Sequence, residues 1–196
     1  MKQHWKPGTL EAPVPAVMVT CGTMEASNII TIAWTGIVCS DPAMLSISVR
    51  PQRHSYAMIK EQGEFTVNLT TRDLVQATDL CGVVSGAKQD KFELCHLDKE
   101  EGVHVACPGI AQSPIQLECK VKQVLPLGSH DLFLAEIVGV NVEESLLDAN
   151  GRLQLEKANL IAYSHGSYYA LGKMLGTFGY SVRKKKGKNH AAKSRS

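Results

Sequence analysis

Apolar and polar residues alternate with a period of two through much of this chain. In Ala43 to Arg50, Leu45, Ile47 and Val49 share one side, and Ser46, Ser48 and Arg50 share the other. That is the pattern of a strand with one buried face, and Pro51 stops it. Pro15 to Gly22 and Phe65 to Leu69 read as further strands. Ile115 to Lys122 sets Ile115, Leu117, Cys119 and Val121 inward, with Gln116, Glu118, Lys120 and Lys122 outward. Leu132 to Val142 is apolar on both sides, so it is expected at the centre of a sheet or at an interface. The turn 126–131 (PLGSHD) between these two long runs predicts an antiparallel hairpin.

Helical signals are few and short. Ser55 is placed to cap a helix over Tyr56 to Gln62, ended by Gly63. Asp73 is placed to cap a second helix running to about Cys81, with Gly82 after it. There is no strand–helix–strand rhythm, no G-x-G-x-x-G and no G-x-x-x-x-G-K-[ST]. A doubly wound sheet and a P-loop are therefore unsupported. The expected class is mainly β, a β-barrel with peripheral helices, formed by one domain over residues 1–182.

The 196 residues are 44% apolar and 20% charged, a globular composition with enough apolar residues for one sizeable core. The longest apolar stretch, Ile29 to Cys39, is interrupted by Thr31, Thr35 and Gly36, so no spanning helix is expected. The opening MKQHWKPGTLEAP lacks the apolar run of a secretory leader, and a cytoplasmic protein is the expectation. The net charge of +2 hides an asymmetry. Arg183 to Ser196 carries seven Lys/Arg and no Asp/Glu, leaving 14 basic residues against 19 acidic ones elsewhere. Residues 183–196 read as a disordered, solubilising tail. A nucleic-acid partner is not expected, because no aromatic residue follows Tyr180 for stacking on bases. The six cysteines include no CxxC and read as reduced, mostly buried thiols, Cys119 among them. The spacing of Cys95, His96, His104 and Cys107 matches no zinc module, so no metal is expected.

The densest chemistry lies in 46–55, SISVRPQRHS. Ser48 and Arg50 lie on a polar strand face, followed directly by Arg53, His54 and Ser55 at a helix start. Guanidinium donors, a hydroxyl and free backbone N–H groups together suit a phosphate. An exposed strand face beside a capped helix would look the same. Upstream, 28–36 reads NIITIAWTG. Trp34 is either a core residue or one wall for a planar heterocycle, whose edge Asn28, Thr31 and Thr35 would read.

In their order along the chain, these pieces resemble the flavin reductase-like family of FMN-binding split barrels, and within it the flavoredoxin branch. The matching pieces are Asn28 through Trp34-Thr35-Gly36, Asp41-Pro42, and Ile47 through Pro51 with Arg53-His54-Ser55-Tyr56. Gly63-Glu64-Phe65 with Asn68, Cys81-Gly82, Ser85-Gly86, Asp90-Lys91-Phe92 and Gly128-Ser129-His130-Asp131 continue the match. Tyr168-Tyr169 through Lys173, and Gly179 through Lys184, complete it. The resemblance implies a Greek-key-like split β-barrel holding non-covalent FMN at a homodimer interface. It implies Asn28, Trp34 and Thr35 along the isoalloxazine, with Tyr163 and Tyr168 at its border. It assigns Ser48, Arg50, Arg53, His54, Ser55 and Lys91 to the ribityl chain and phosphate. His130 corresponds to the His of a Gly-Asp-His turn that contacts the nicotinamide in flavin reductases of this type. Ser129 replaces the Asp here, as in flavoredoxins. The implied activity is reduction of FMN by NADH or NADPH, with electrons passed to an acceptor. The alternative is an electron carrier reduced by a redox-protein partner.

Overall fold

The computed structural model describes residues 1–183; the predicted basic tail, apart from Arg183, lies outside the described residues. Five strands open the chain: β1 (Val14–Pro15), β2 (Val17–Gly22), β3 (Ser27–Ile32), β4 (Thr35–Ser40) and β5 (Ala43–Val49). Helix α1 (His54–Gln62) leads into β6 (Glu64–Leu69), followed by α2 (Val75–Val83) and the single turn α3 (Lys91–Leu94). Two short strands, β7 (Lys99–Glu100) and β8 (Gly109–Ile110), precede the long β9 (Ile115–Pro126) and β10 (Asp131–Val142). The hairpin β11 (Ile161–Ser164) and β12 (Ser167–Ala170) pairs with β1.

The main sheet has seven antiparallel strands in the order β3-β2-β6-β9-β10-β5-β4. It curls so that β3 and β5 come into contact, with a barrel interior between them. Val17, Val19, Ile30, Leu45, Ile47, Val49, Phe65, Val67, Phe133 and Ala135 fill that interior, and Ile59 of α1 joins the same cluster. Burying such side chains contributes roughly 1.5–3 kcal/mol each. A second cluster forms on the outer face of β2 and β3, where Met18 and Ile29 pack beneath α2 and α3 against Leu74, Cys81 and Phe92. This double cover explains why all six residues of β2 are buried.

The long hairpin forms as the pattern predicts, and β10 lies inside the sheet between β9 and β5. Register shifts after Leu134 and Ile137 mark bulges, which bend a hairpin and help a sheet to curl. Three sequence readings need correction. Ser55 is the second residue of α1 and not its cap; Arg53 holds the N-cap position without a side-chain bond, and the Ser55 side chain is buried. The second helix is capped at Leu74, not Asp73, and contains Gly82. A Cβ at Gly82 would stand 3.3 Å from the Thr31 side chain, a tight contact that the glycine spares where α2 packs on β3. Finally, Gln116 and Glu118 are buried and not outward-facing: Gln116 donates to Glu100 of β7 and Ile110 of β8, and the loop between those strands bonds Glu118. Glu118 accepts the backbone N–H groups of Val103 (2.8 Å) and His104 (2.6 Å) and the Asn141 amide (2.9 Å).

Candidate functional site

Two joined clefts run along the outer wall where β3, β5, α1 and α2 meet. The first, about 380 Å³, is lined by Thr31, Trp34, Ser48, Arg50, Arg53, Asp79, His130, Tyr163 and Tyr168, among others. The second, about 240 Å³, is lined by Asn28, Gln52, Arg53, His54, Ser55, Cys81, Ser85, Gly86 and Lys91. Ile30 and Arg53 belong to both walls. Every residue predicted for the site lines one cleft or the other except Thr35, which pairs with Ile47 at the start of the β4 edge.

The smaller cleft is lined by basic and neutral groups. No carboxylate lines it, α1 starts there without an acidic residue in its first turn, and three basic side chains converge. Lys91 is the decisive group. Its side chain is 4% exposed, and its ammonium donates to the carbonyls of Ile29 and Cys81, both at 2.7 Å. It has no carboxylate partner among the described residues. Burial lowers its pKa, which marks a cation short of compensating charge. An ammonium has three donors, so one remains for a ligand. Asn28 donates its amide to Ser55 Oγ at 2.7 Å, fixing the hydroxyl on the same wall. Gly86 lies so close to the buried Asn28 amide that a Cβ there would collide with it.

The larger cleft is aromatic. Trp34 is 45% exposed, which settles the choice between core residue and cleft wall in favour of the wall. Its ring centroid lies 4.6 Å from that of His130, with the planes 43° apart. His130 is presented by the β9–β10 turn, where Gly128 adopts φ +99° and Leu127 N–H donates to the His130 carbonyl. Its Nδ1 lies 2.9 Å from Ser129 Oγ. Burial, then the charges of Arg50 and Arg53, lower its pKa from the ordinary histidine value, which favours the neutral ring. On the far side Tyr168 donates to Asp79 at 3.1 Å. Burial and that carboxylate push the tyrosine up to about 12, so it stays a protonated hydroxyl.

Of the residues expected along the ring, Asn28 lines the smaller cleft; of those expected at the ribityl chain and phosphate, Ser48 and Arg50 line the larger one. The Thr31 hydroxyl faces α2 and donates to the Thr78 carbonyl. Asp79 escaped sequence reading because nothing local marks it; only the packing of α2 on β3 brings it to Tyr168.

A model of the flavin reductase like domain matches residues 10–172. This chain belongs to that family. It is a flavin-binding oxidoreductase family, and the fold is its mainly β split barrel. An uncharacterized protein of Archaeoglobus fulgidus is 31% identical over 136 residues, covering 69% of this chain and 76% of that protein. Among solved structures, the flavoredoxin of Desulfovibrio vulgaris (Miyazaki F) is similar with a TM-score of 0.86 and 31% identity, over 93% of this chain and 100% of that one. A flavoredoxin from Methanosarcina acetivorans gives 0.84 and 26% over 93% and 100%. No helix among the described residues is long and apolar enough to cross a membrane.

Proposed function

We propose that this flavin reductase-like protein binds FMN across the two clefts and catalyses its reduction by NADH or NADPH, passing the electrons to an acceptor. One observation carries the reading. A buried ammonium without a counter-charge ends a cleft that opens directly onto an exposed tryptophan and a neutral histidine. A phosphate supplies the missing charge, and a planar ring suits the aromatic end. The donor set therefore fits FMN, which when bound supplies the redox chemistry.

The chain's own residues bind and orient. Lys91, Arg53, His54 and the first N–H groups of α1 hold the phosphate, with Ser55 beside them. Trp34, Thr31 and Ser48 flank the ring site. Because Nδ1 of His130 engages Ser129, Nε2 is left to hydrogen-bond a nicotinamide carboxamide and set its approach. Hydride transfer between two cofactors asks for orientation and no protein acid.

A homodimer accompanies this reading. Ile37 (68% exposed) and Val38 form an apolar edge on β4 next to Trp34, and Leu171, Met174, Leu175 and Phe178 lie bare on the segment after β12. Such surface normally lies against a partner.

A second reading is favoured by Ser129 and by the flavoredoxin likeness: an FMN electron carrier reduced by a redox protein. Anaerobic absorbance separates the two. Bleaching of the flavin-loaded protein by NADH or NADPH, slowed by His130→Ala, supports the reductase. Bleaching by dithionite alone supports the carrier. Failure to take up FMN removes both.

A further inference from the structure

The wall between the anionic cleft and the rest of the molecule contains two thiols that neither reading uses. Cys81 lies on α2 and lines the anionic cleft; Cys95 caps the C-terminus of α3. Their sulfurs are 3.7 Å apart. On the other side of this wall is an open groove of about 830 Å³, lined by Cys95, His96, Leu97, Leu80 and, after β10, Glu143 and Leu146. Cys81 is 1% exposed, while Cys95 is half-buried and reaches the groove. The pair therefore has one thiol open to a small molecule and one shielded behind it.

We infer that Cys81 and Cys95 form a reversible oxidation site that takes a hydroperoxide and closes to an intrachain disulfide. The Cys95 thiol attacks the peroxide O–O bond, giving Cys95 sulfenic acid and releasing water from hydrogen peroxide. The Cys81 sulfur then attacks the sulfenic sulfur, an S–S bond forms, and the hydroxyl leaves as water with the Cys81 proton. The two thiols lose two electrons and the peroxide gains two. Burial, with Cys95 alongside, pushes the Cys81 thiol up to about 12, so Cys81 is not the sulfur that meets the peroxide, and the 3.7 Å approach to Cys95 is what brings it into the second step. Closure brings the sulfurs to about 2 Å.

This site is wired to the lysine of the anionic cleft. Lys91 donates to the Cys81 carbonyl, and the Cys95 N–H donates to the Lys91 carbonyl at 3.1 Å. Drawing α3 toward α2 moves the turn that carries Lys91. Oxidation is therefore expected to weaken phosphate binding, a consequence that rests on the FMN reading above.

The test treats the full-length chain with hydrogen peroxide and maps disulfides by mass spectrometry of non-reduced peptides. The expected result is one Cys81–Cys95 cross-link, reversed by dithiothreitol and absent in Cys95→Ser. A Cys81→Ser chain should instead trap oxidised Cys95. Circular dichroism checks that both variants fold. Pairing among Cys21, Cys107 and Cys119, or oxidation of Cys95 straight to sulfinic acid in the wild type, overturns the site. In a separate titration, FMN affinity should fall at least about tenfold on oxidation, the scale of one charged hydrogen bond. Unchanged affinity of the fully cross-linked chain overturns the link to Lys91. If the reduced chain binds no FMN, the function proposed above fails while the mass result still decides the thiol pair.

Discussion

The Tyr56 hydroxyl donates to the Asp131 carboxylate at 2.6 Å. This bond ties the first turn of α1, at the anionic cleft, to the residue that follows His130 at the start of β10. The Tyr56 ring also meets Phe133 edge-on at 5.5 Å, and Lys60 approaches its hydroxyl at 3.3 Å. The two ends of the site are thus braced to each other beneath the surface. Tyr56→Phe keeps the ring packing and leaves a mostly buried carboxylate without its donor. Stability should fall by about 1–3 kcal/mol in urea unfolding, with FMN affinity nearly unchanged. A large loss of affinity would place Tyr56 in the binding site itself.

Lys91→Met removes the buried ammonium while keeping an unbranched side chain. FMN affinity should drop at least tenfold, corresponding to about 1.5–3 kcal/mol for a charged hydrogen bond. Riboflavin, which lacks the phosphate, should bind the variant and the parent alike in fluorescence titration. Equal losses for both ligands would mean that Lys91 shapes the cleft and does not meet the phosphate.

His130 should act as a neutral ring. Its pKa lies below 6.5, so nicotinamide-linked flavin reduction should be level from neutral pH upward and decline only on the acid side. Arg50→Ala removes one of the charges holding that pKa down, so the decline should move to higher pH. Stopped-flow rates across pH give the comparison; a profile that Arg50→Ala leaves in place would separate His130 from the step.

Glu118 links stability to acid. Burial works to raise its pKa, but the bonds from Val103, Asn141 and His104 prevail and the net shift is downward. A lowered carboxylate contributes stability fully above its unfolded value, near 4.5, and loses it as pH falls through the folded value. Glu118→Ala should cost on the order of 3 kcal/mol at neutral pH. The difference from the parent should shrink in acid, as measured by urea unfolding at several pH values.

Much of the barrel was readable because strand alternation reports a one-sided core directly. Leu45, Ile47 and Val49 face inward as the pattern requires, and the 126–131 turn does join a hairpin. The pattern failed where polar residues face inward. Glu118 and Gln116 look like solvent-facing positions until the chain before β9 folds over them: Val103 and His104 lend Glu118 their N–H groups, and Gln116 donates to the Glu100 carboxylate and the Ile110 carbonyl. Ser55 has the right chemistry for a cap, yet its hydroxyl turns to Asn28, a partner 27 residues away. Most of the candidate site was legible because Arg53, His54 and Ser55 are consecutive and Trp34 stands alone. Their division between two clefts was not, since it depends on how α2 and the 85–91 loop lie over β3.

The two strands at the ends of the main sheet, β3 and β4, are neighbours in the chain, joined only by Ala33 and Trp34. The polypeptide thus steps from one edge of the sheet to the other within a single short link, and Ser48 N–H grips the Trp34 carbonyl at 3.0 Å beside it. That link works like the clasp of a bracelet, and the aromatic cleft is set directly on it. A molecule touching Thr31, Trp34 and Ser48 together would span the clasp and latch the ring shut, so that occupancy and the mechanical integrity of the barrel become one property.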